Sequence, residues 1–200
     1  LKLFHKQHYT PQNCRIVVSG KITSELIGLL NETLGNKDWK NNPTQVKKFN
    51  STTDPVKEHY IQRKDAVQAA IRIGKQLFNR THSDFLGMQV LNTILGGYFG
   101  SRLMTNLRED KGYTYGIGSA LISLQYSGSF FITGEVGADI AKQAASEIYK
   151  EIGRLRNDLV PDTELNLVRS YMLGKFLRSV DGAFAMADMF MSVIETGLDM

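Results

Sequence analysis

The chain has 200 residues, 42% of them hydrophobic and 22% charged, with a net charge of +4. That length and apolar content suit one sizeable packed domain without staples, with residues 1–12 as a linker or domain entry and 13–200 as the domain itself. Basic and acidic residues are interleaved, unlike the clustered stripe that nucleic acid demands, and no run approaches the roughly eighteen apolar residues of a membrane span.

The opening LKLFHKQHYTP lacks a signal-peptide apolar block, and the chain begins at Leu1 rather than Met, so a fragment or processed product is expected. A soluble protein follows, with bacterial periplasm, cytoplasm and mitochondrion equally open. The lone cysteine, Cys14, lies in an apolar run and reads as a small hydrophobe rather than a nucleophile.

From Asn13 the run CRIVVSG predicts a buried strand, followed by a helix from about Thr23 to Leu34 that buries Leu26, Ile27, Leu30 and Leu34 and stops at Gly35. The polar, proline-bearing stretch from Asn36 to Pro55 marks an exposed connection. Two strands are predicted next, Lys57 to Arg63 and Ala66 to Lys75, joined at Lys64-Asp65 as a hairpin; Val67, Ala69, Ile71 and Ile73 give the second one apolar face. Helical spacing returns from Ser83, a candidate cap, to Leu95.

The next stretch, LGGYFGSRLMTNLREDKGYTYGIG from Leu95 to Gly118, organises the rest. Ser101 is a candidate N-cap, Arg102 to Asp110 has helical spacing at Leu103, Met104 and Leu107, Gly112 stops it, and a long strand is expected from Tyr113 to Leu124. Arg108 and Tyr115 therefore flank one corner. If both point out of it, a guanidinium fork and a phenol meet in one small volume, a pair suited to peptide carbonyls or an oxyanion.

Beyond it, Tyr126-Ser127-Gly128 predicts a hairpin into a strand from Ser129 to Val136. Asp139 is a candidate cap for a helix burying Ala144, Ile148 and Ile152; Pro161 opens another carrying Leu165, Val168, Met172 and Phe176 inward; a last helix runs from about Asp181 to Glu195. The methionines near the end read as adaptable core. Hairpins dominate, so the expected fold class is α+β: a mainly antiparallel β-sheet with helices packed on one face.

The order GG, a short spacer, SRL, an LRE segment, a glycine, and a tyrosine seven positions after the arginine resembles the second-type domain of the pitrilysin/insulinase family of inverted-motif zinc peptidases. Mitochondrial processing peptidase belongs to that family too. YTPQNCRIVVSGKIT is similar to the opening of the same domain, so the resemblance covers nearly the whole chain. One departure is Gly96-Gly97-Tyr98-Phe99-Gly100, where the family often has a third consecutive glycine.

The resemblance implies that Arg108 and Tyr115 hold the substrate backbone and help polarise the scissile carbonyl across a chamber from zinc; strand alternation sends Tyr113 to the same face as Tyr115 and makes it the competitor. It casts Gly96, Gly97, Gly100 and Gly112 as the structural glycines of the corner. The family's zinc motif, His-x-x-Glu-His, is absent: His5-Lys6-Gln7-His8 lacks the glutamate and reads as two solvated histidines on an extended linker. No metal or cofactor is therefore expected in this chain. Zinc is expected in a partner His-x-x-Glu-His domain, upstream in the same polypeptide or on another subunit, and the ligand is a peptide substrate. The isolated chain is expected to cleave nothing. The alternative is a non-catalytic assembly subunit of the same fold, as in the respiratory-complex core subunits; an unrelated ferredoxin-like binding module is the weaker third reading.

Overall fold

The computed structural model describes residues 1–35 and 54–196, and the chain divides into two compact units, residues 52–175 and residues 1–51 with 176–200. The larger unit is built on a three-stranded antiparallel sheet. Strand β1 (Gln68–Leu77) and strand β2 (Ile117–Ser123) flank a central β3 (Gly128–Gly137), with Ile73 and Ser119 both opposite Ile132. One face is apolar: Ala69, Ile71 and Ile73 from β1, Ile117 from β2, and Ile132 and Val136 from β3. Arg72 and Glu135 lie on the other face and pair at 3.0 Å.

Helices cover the apolar face. Helix α3 (Phe85–Asn92) runs on into a π-helical turn over Thr93–Gly97, and a second π-helical stretch spans Met104–Asp110. Helix α4 (Ala141–Asn157) lays Ala144 and Ile148, both fully buried, against Leu103, Leu107 and Ile132. Helix α5 (Asp162–Ser179) starts in this unit and buries Val168. A buried leucine such as Leu107 contributes roughly 1.5–3 kcal/mol, so this cluster anchors the stretch that carries Arg108. The expected fold class, antiparallel sheet with helices on one face, is what the chain adopts.

Among the described residues the smaller unit is mainly helical. Leu1 precedes helix α1 (Lys2–His8), where an extended linker was expected; Phe4 with His8 and His5 with Tyr9 form four-apart ring pairs at 4.4 and 4.6 Å that support helical winding. The helix predicted near Thr23 is α2 (Ser24–Thr33), capped by Thr23 Oγ1, which accepts from the Leu26 N–H at 3.3 Å. A last helix covers Ala183–Thr196, and the Ser19 hydroxyl donates to the Ala183 carbonyl at 2.5 Å.

Several local expectations are corrected. Residues 14–19 and 57–63 are not strands: neither finds a ladder partner among the described residues, and Ile16 and Val18 are 50% and 40% exposed rather than buried. The strand starting at Gln68 pairs with β3 instead of forming a local hairpin. Phe176 and Met186 are exposed, not core. The connection predicted over 36–55 lies largely outside the described residues. No helix among the described residues is long and apolar enough to cross a membrane.

Candidate functional site

The corner is built by close approach between α3's last turn and β2. A Cβ on Gly96 would lie 2.6 Å from the Ser119 backbone nitrogen, and one on Gly118 would lie 3.2 Å from the Gly96 carbonyl oxygen, so the two backbones cross where only glycine fits. The Ser119 hydroxyl donates to the Asn92 carbonyl at 3.2 Å and ties the crossing. Gly97 sits over Asn92, and Gly100 faces the Tyr98 ring.

Between these glycines the chain makes a tight turn. The Ser101 N–H donates to the Tyr98 carbonyl at 3.2 Å, Ser101 is 1% exposed, and the Tyr98 ring packs on Tyr171 with centroids 4.8 Å apart. Burial, with the Glu164 carboxylate nearby, pushes the Tyr98 phenol above its ordinary value. Phe99, at the turn's apex, is exposed. Ser101 does not act as the predicted cap, because its buried hydroxyl has no partner among the described residues, and neither Ser83 nor Asp139 caps its helix. A cap needs the hydroxyl or carboxylate swung back onto the first turn, whereas Asp139 lies within a 3-10 turn over Ala138–Ile140 and the Ser83 hydroxyl donates to Asp84 Oδ1 at 3.4 Å.

Along the second π-helical stretch, Met104 and Leu107 point into the core. Arg102 forks onto Glu164, Nε to Oε1 at 2.8 Å and one terminal nitrogen to Oε2 at 2.7 Å, and this hydrogen bonding raises the guanidinium's already high pKa. The Asn106 amide donates to the buried Glu151 at 2.6 Å, which Arg154 also meets at 3.1 Å. These residues line a polar cleft of about 440 Å³.

Arg108 is half-buried and has no carboxylate or other hydrogen-bond partner among the described residues; its guanidinium carbon stands 4.6 Å from the centroid of the Phe99 ring. Glu109 and Asp110, the adjacent acids, are exposed and leave it alone. Gly112 ends the helix at φ +63°, the left-handed conformation that favours glycine. The Tyr113 N–H then donates to the Leu107 carbonyl at 2.8 Å, and the Tyr113 ring packs on the core.

The expected strand from Tyr113 is not formed before Ile117. The Thr114 hydroxyl accepts from the Gly116 N–H at 3.1 Å and donates to the Glu135 carbonyl at 2.6 Å, a side-chain detour that bends the backbone. The alternation that would put Tyr113 and Tyr115 on one face therefore fails. Tyr113 turns inward, while Tyr115 is 92% exposed and touches no hydrogen-bond, ion-pair or ring partner among the described residues. Arg108 and Tyr115 emerge from the same corner without contacting each other.

Two features escaped the sequence reading. Phe99 as a seat for Arg108 had only one sequence signal, an aromatic inside a glycine-rich turn. Glu151 had a clearer signal that was passed over, since it follows Ala144 and Ile148 at the helical spacing of the buried stripe. Among the described residues no group of three or more His, Cys, Asp or Glu side chains could hold a metal ion.

The comparisons with known proteins agree with this architecture. The peptidase M16 inactive domain profile matches residues 1–172. An uncharacterized zinc protease of Bacillus subtilis, YmxG, is 29% identical over 181 residues, which is 90% of this chain and 43% of that protein. The probable inactive metalloprotease YmfF of the same organism is 22% identical over 129 residues, 64% of this chain and 30% of its own length. A protease from Helicobacter pylori superposes with a TM-score of 0.81 over 98% of this chain and 48% of its own, at 18% identity, which shows a shared fold. The chain thus spans less than half the length of these relatives. A profile match over most of the chain, on a fold shared with a solved protease, makes this chain a member of the peptidase M16 inactive-domain family.

Proposed function

We propose that this chain is the substrate-gripping half of a zinc-dependent endopeptidase whose His-x-x-Glu-His half lies outside it. The observation that carries this reading is an arginine without a carboxylate or other hydrogen-bond partner among the described residues, beside a tyrosine 92% exposed at the same corner. A guanidinium with open donors and a phenol facing water are together apt for a ligand that presents carbonyl oxygens.

Zinc in the absent half would supply the activated water and a Lewis acid. Arg108 donates a charge-assisted hydrogen bond to a backbone carbonyl of the bound peptide, worth about 1.5–3 kcal/mol. The Tyr115 hydroxyl donates where oxyanion charge develops. Gly112 and the Thr114 detour set the direction in which Tyr115 leaves the corner.

The test is turnover of a quenched-fluorescent peptide library by the complete peptidase. Arg108→Ala and Tyr115→Phe should each lower kcat by about 10²-fold, the typical cost of losing one such donor, with zinc content and melting temperature unchanged. Wild-type rates in both variants would falsify the assignment.

A second reading is favoured by one finding, the similarity to a protein named a probable inactive metalloprotease. In that reading the chain keeps the fold as an assembly module. Absence of peptide cleavage by the complete, zinc-loaded protein, with the fold intact, would select it.

A further inference from the structure

We infer that Phe99 is a positioning residue for Arg108, holding the guanidinium at the corner without consuming its hydrogen-bond donors. This rests on the reading of Arg108 as the group that grips substrate.

Phe99 sits on a fixed platform. The Tyr98 carbonyl accepts from the Ser101 N–H at 3.2 Å, the Tyr98 ring is packed on Tyr171, and Ser101 is 1% exposed, so both flanks of the turn are pinned. Its own ring is 61% exposed, so burial does not explain its place. The ring contact it makes is with Arg108, at 4.6 Å from the guanidinium carbon to the ring centroid.

The chemistry of that contact differs from an ion pair. A carboxylate binds arginine through the in-plane N–H groups and occupies them, as Glu164 does to Arg102. A ring attracts the cation through its quadrupole and leaves donors of the fork unspent. An arginine side chain in water otherwise samples many rotamers, and the ring narrows that range before substrate arrives.

The test uses the complete peptidase and the same peptide library. Phe99→Leu should lower kcat/KM about three- to tenfold, in line with a cation–π contact, while Phe99→Tyr and Phe99→Trp retain the wild-type rate. Graded fluorination of the ring at position 99, which weakens the quadrupole at nearly constant shape, should lower the rate step by step; a packing role would not respond. In protein carrying isotope-labelled arginine, the ring-current shift of the Arg108 side-chain N–H resonance should vanish in Phe99→Leu. The inference is overturned if Arg108→Ala is crippled but Phe99→Leu and the fluorinated series run at wild-type rates. An Arg108→Ala enzyme with wild-type turnover would instead overturn the reading of Arg108 itself, and this inference with it.

Discussion

Arg102 and Arg108 stand six positions apart, at the two ends of one helical stretch, and the fold treats them in opposite ways. Arg102 spends its fork on Glu164, with side-chain exposures of 16% and 26% for the two partners. Arg108 has no carboxylate partner among the described residues, and its guanidinium stands over the Phe99 ring. The residue type is the same, and the partner decides whether the cation is a structural rivet or an open donor. Removing a rivet strands its partner's charge; removing an open donor costs the fold little and any ligand much.

The comparison is broken most directly by exchanging the readouts. Arg108→Ala should lose about 10²-fold in turnover with under about 1 kcal/mol in stability. Arg102→Ala should do the reverse, losing about 2–3 kcal/mol of unfolding free energy because Glu164 is left partly buried and unpaired. Urea unfolding beside peptide turnover on both variants checks this, and equal stability losses would erase the distinction.

Next in size is the crossing that places both residues. Gly96→Ala should cost about 1–3 kcal/mol, since the added methyl meets the Ser119 backbone rather than a movable side chain. Gly112→Ala should cost about 1 kcal/mol, because a Cβ there has room but the backbone at φ +63° disfavours it. Thermal melts rank the two; a neutral Gly96→Ala would mean the strand and helix do not approach as closely as described.

A double-mutant cycle sharpens the contrast further. Coupling between Arg102 and Glu164 should reach about 1–3 kcal/mol, and that between Arg108 and Phe99 about 0.5–1 kcal/mol. Similar values for both pairs would remove the basis for calling one closed and the other open.

The smallest effect is in alkali. Burial and then the Glu164 charge raise the Tyr98 phenol, so the folded state holds this proton more tightly than the unfolded chain. Its stabilising contribution is therefore complete below the ordinary phenol value of about 10 and is lost as pH rises through the higher folded value. A spectrophotometric titration of wild type against Tyr98→Phe should show one phenol titrating late, and Glu164→Gln should bring it part of the way back.

Much of this corner was legible from residue order. The stop at Gly112 and the buried pair Met104 and Leu107 follow from helical period and glycine chemistry, as does the β2–β3 hairpin at Tyr126-Ser127-Gly128. The strands expected over 14–19 and 57–63 were not, because branched residues mark a wish for a partner and a strand exists only where a ladder forms. The caps expected at Ser83, Ser101 and Asp139 failed for a related reason: side-chain identity permits a cap, and the path of entry decides it.

The sequence by itself determined the α+β class, the family, and the spacing that puts an arginine and a tyrosine on one bend, since periodicity and glycine positions are local properties of the chain. Tertiary structure alone decided that Tyr113 turns inward while Tyr115 faces water, that Arg102 is closed by a glutamate 62 residues away, and that Arg108 is left to a ring. Those outcomes depend on which surfaces meet across distant parts of the chain, and no local propensity encodes that meeting.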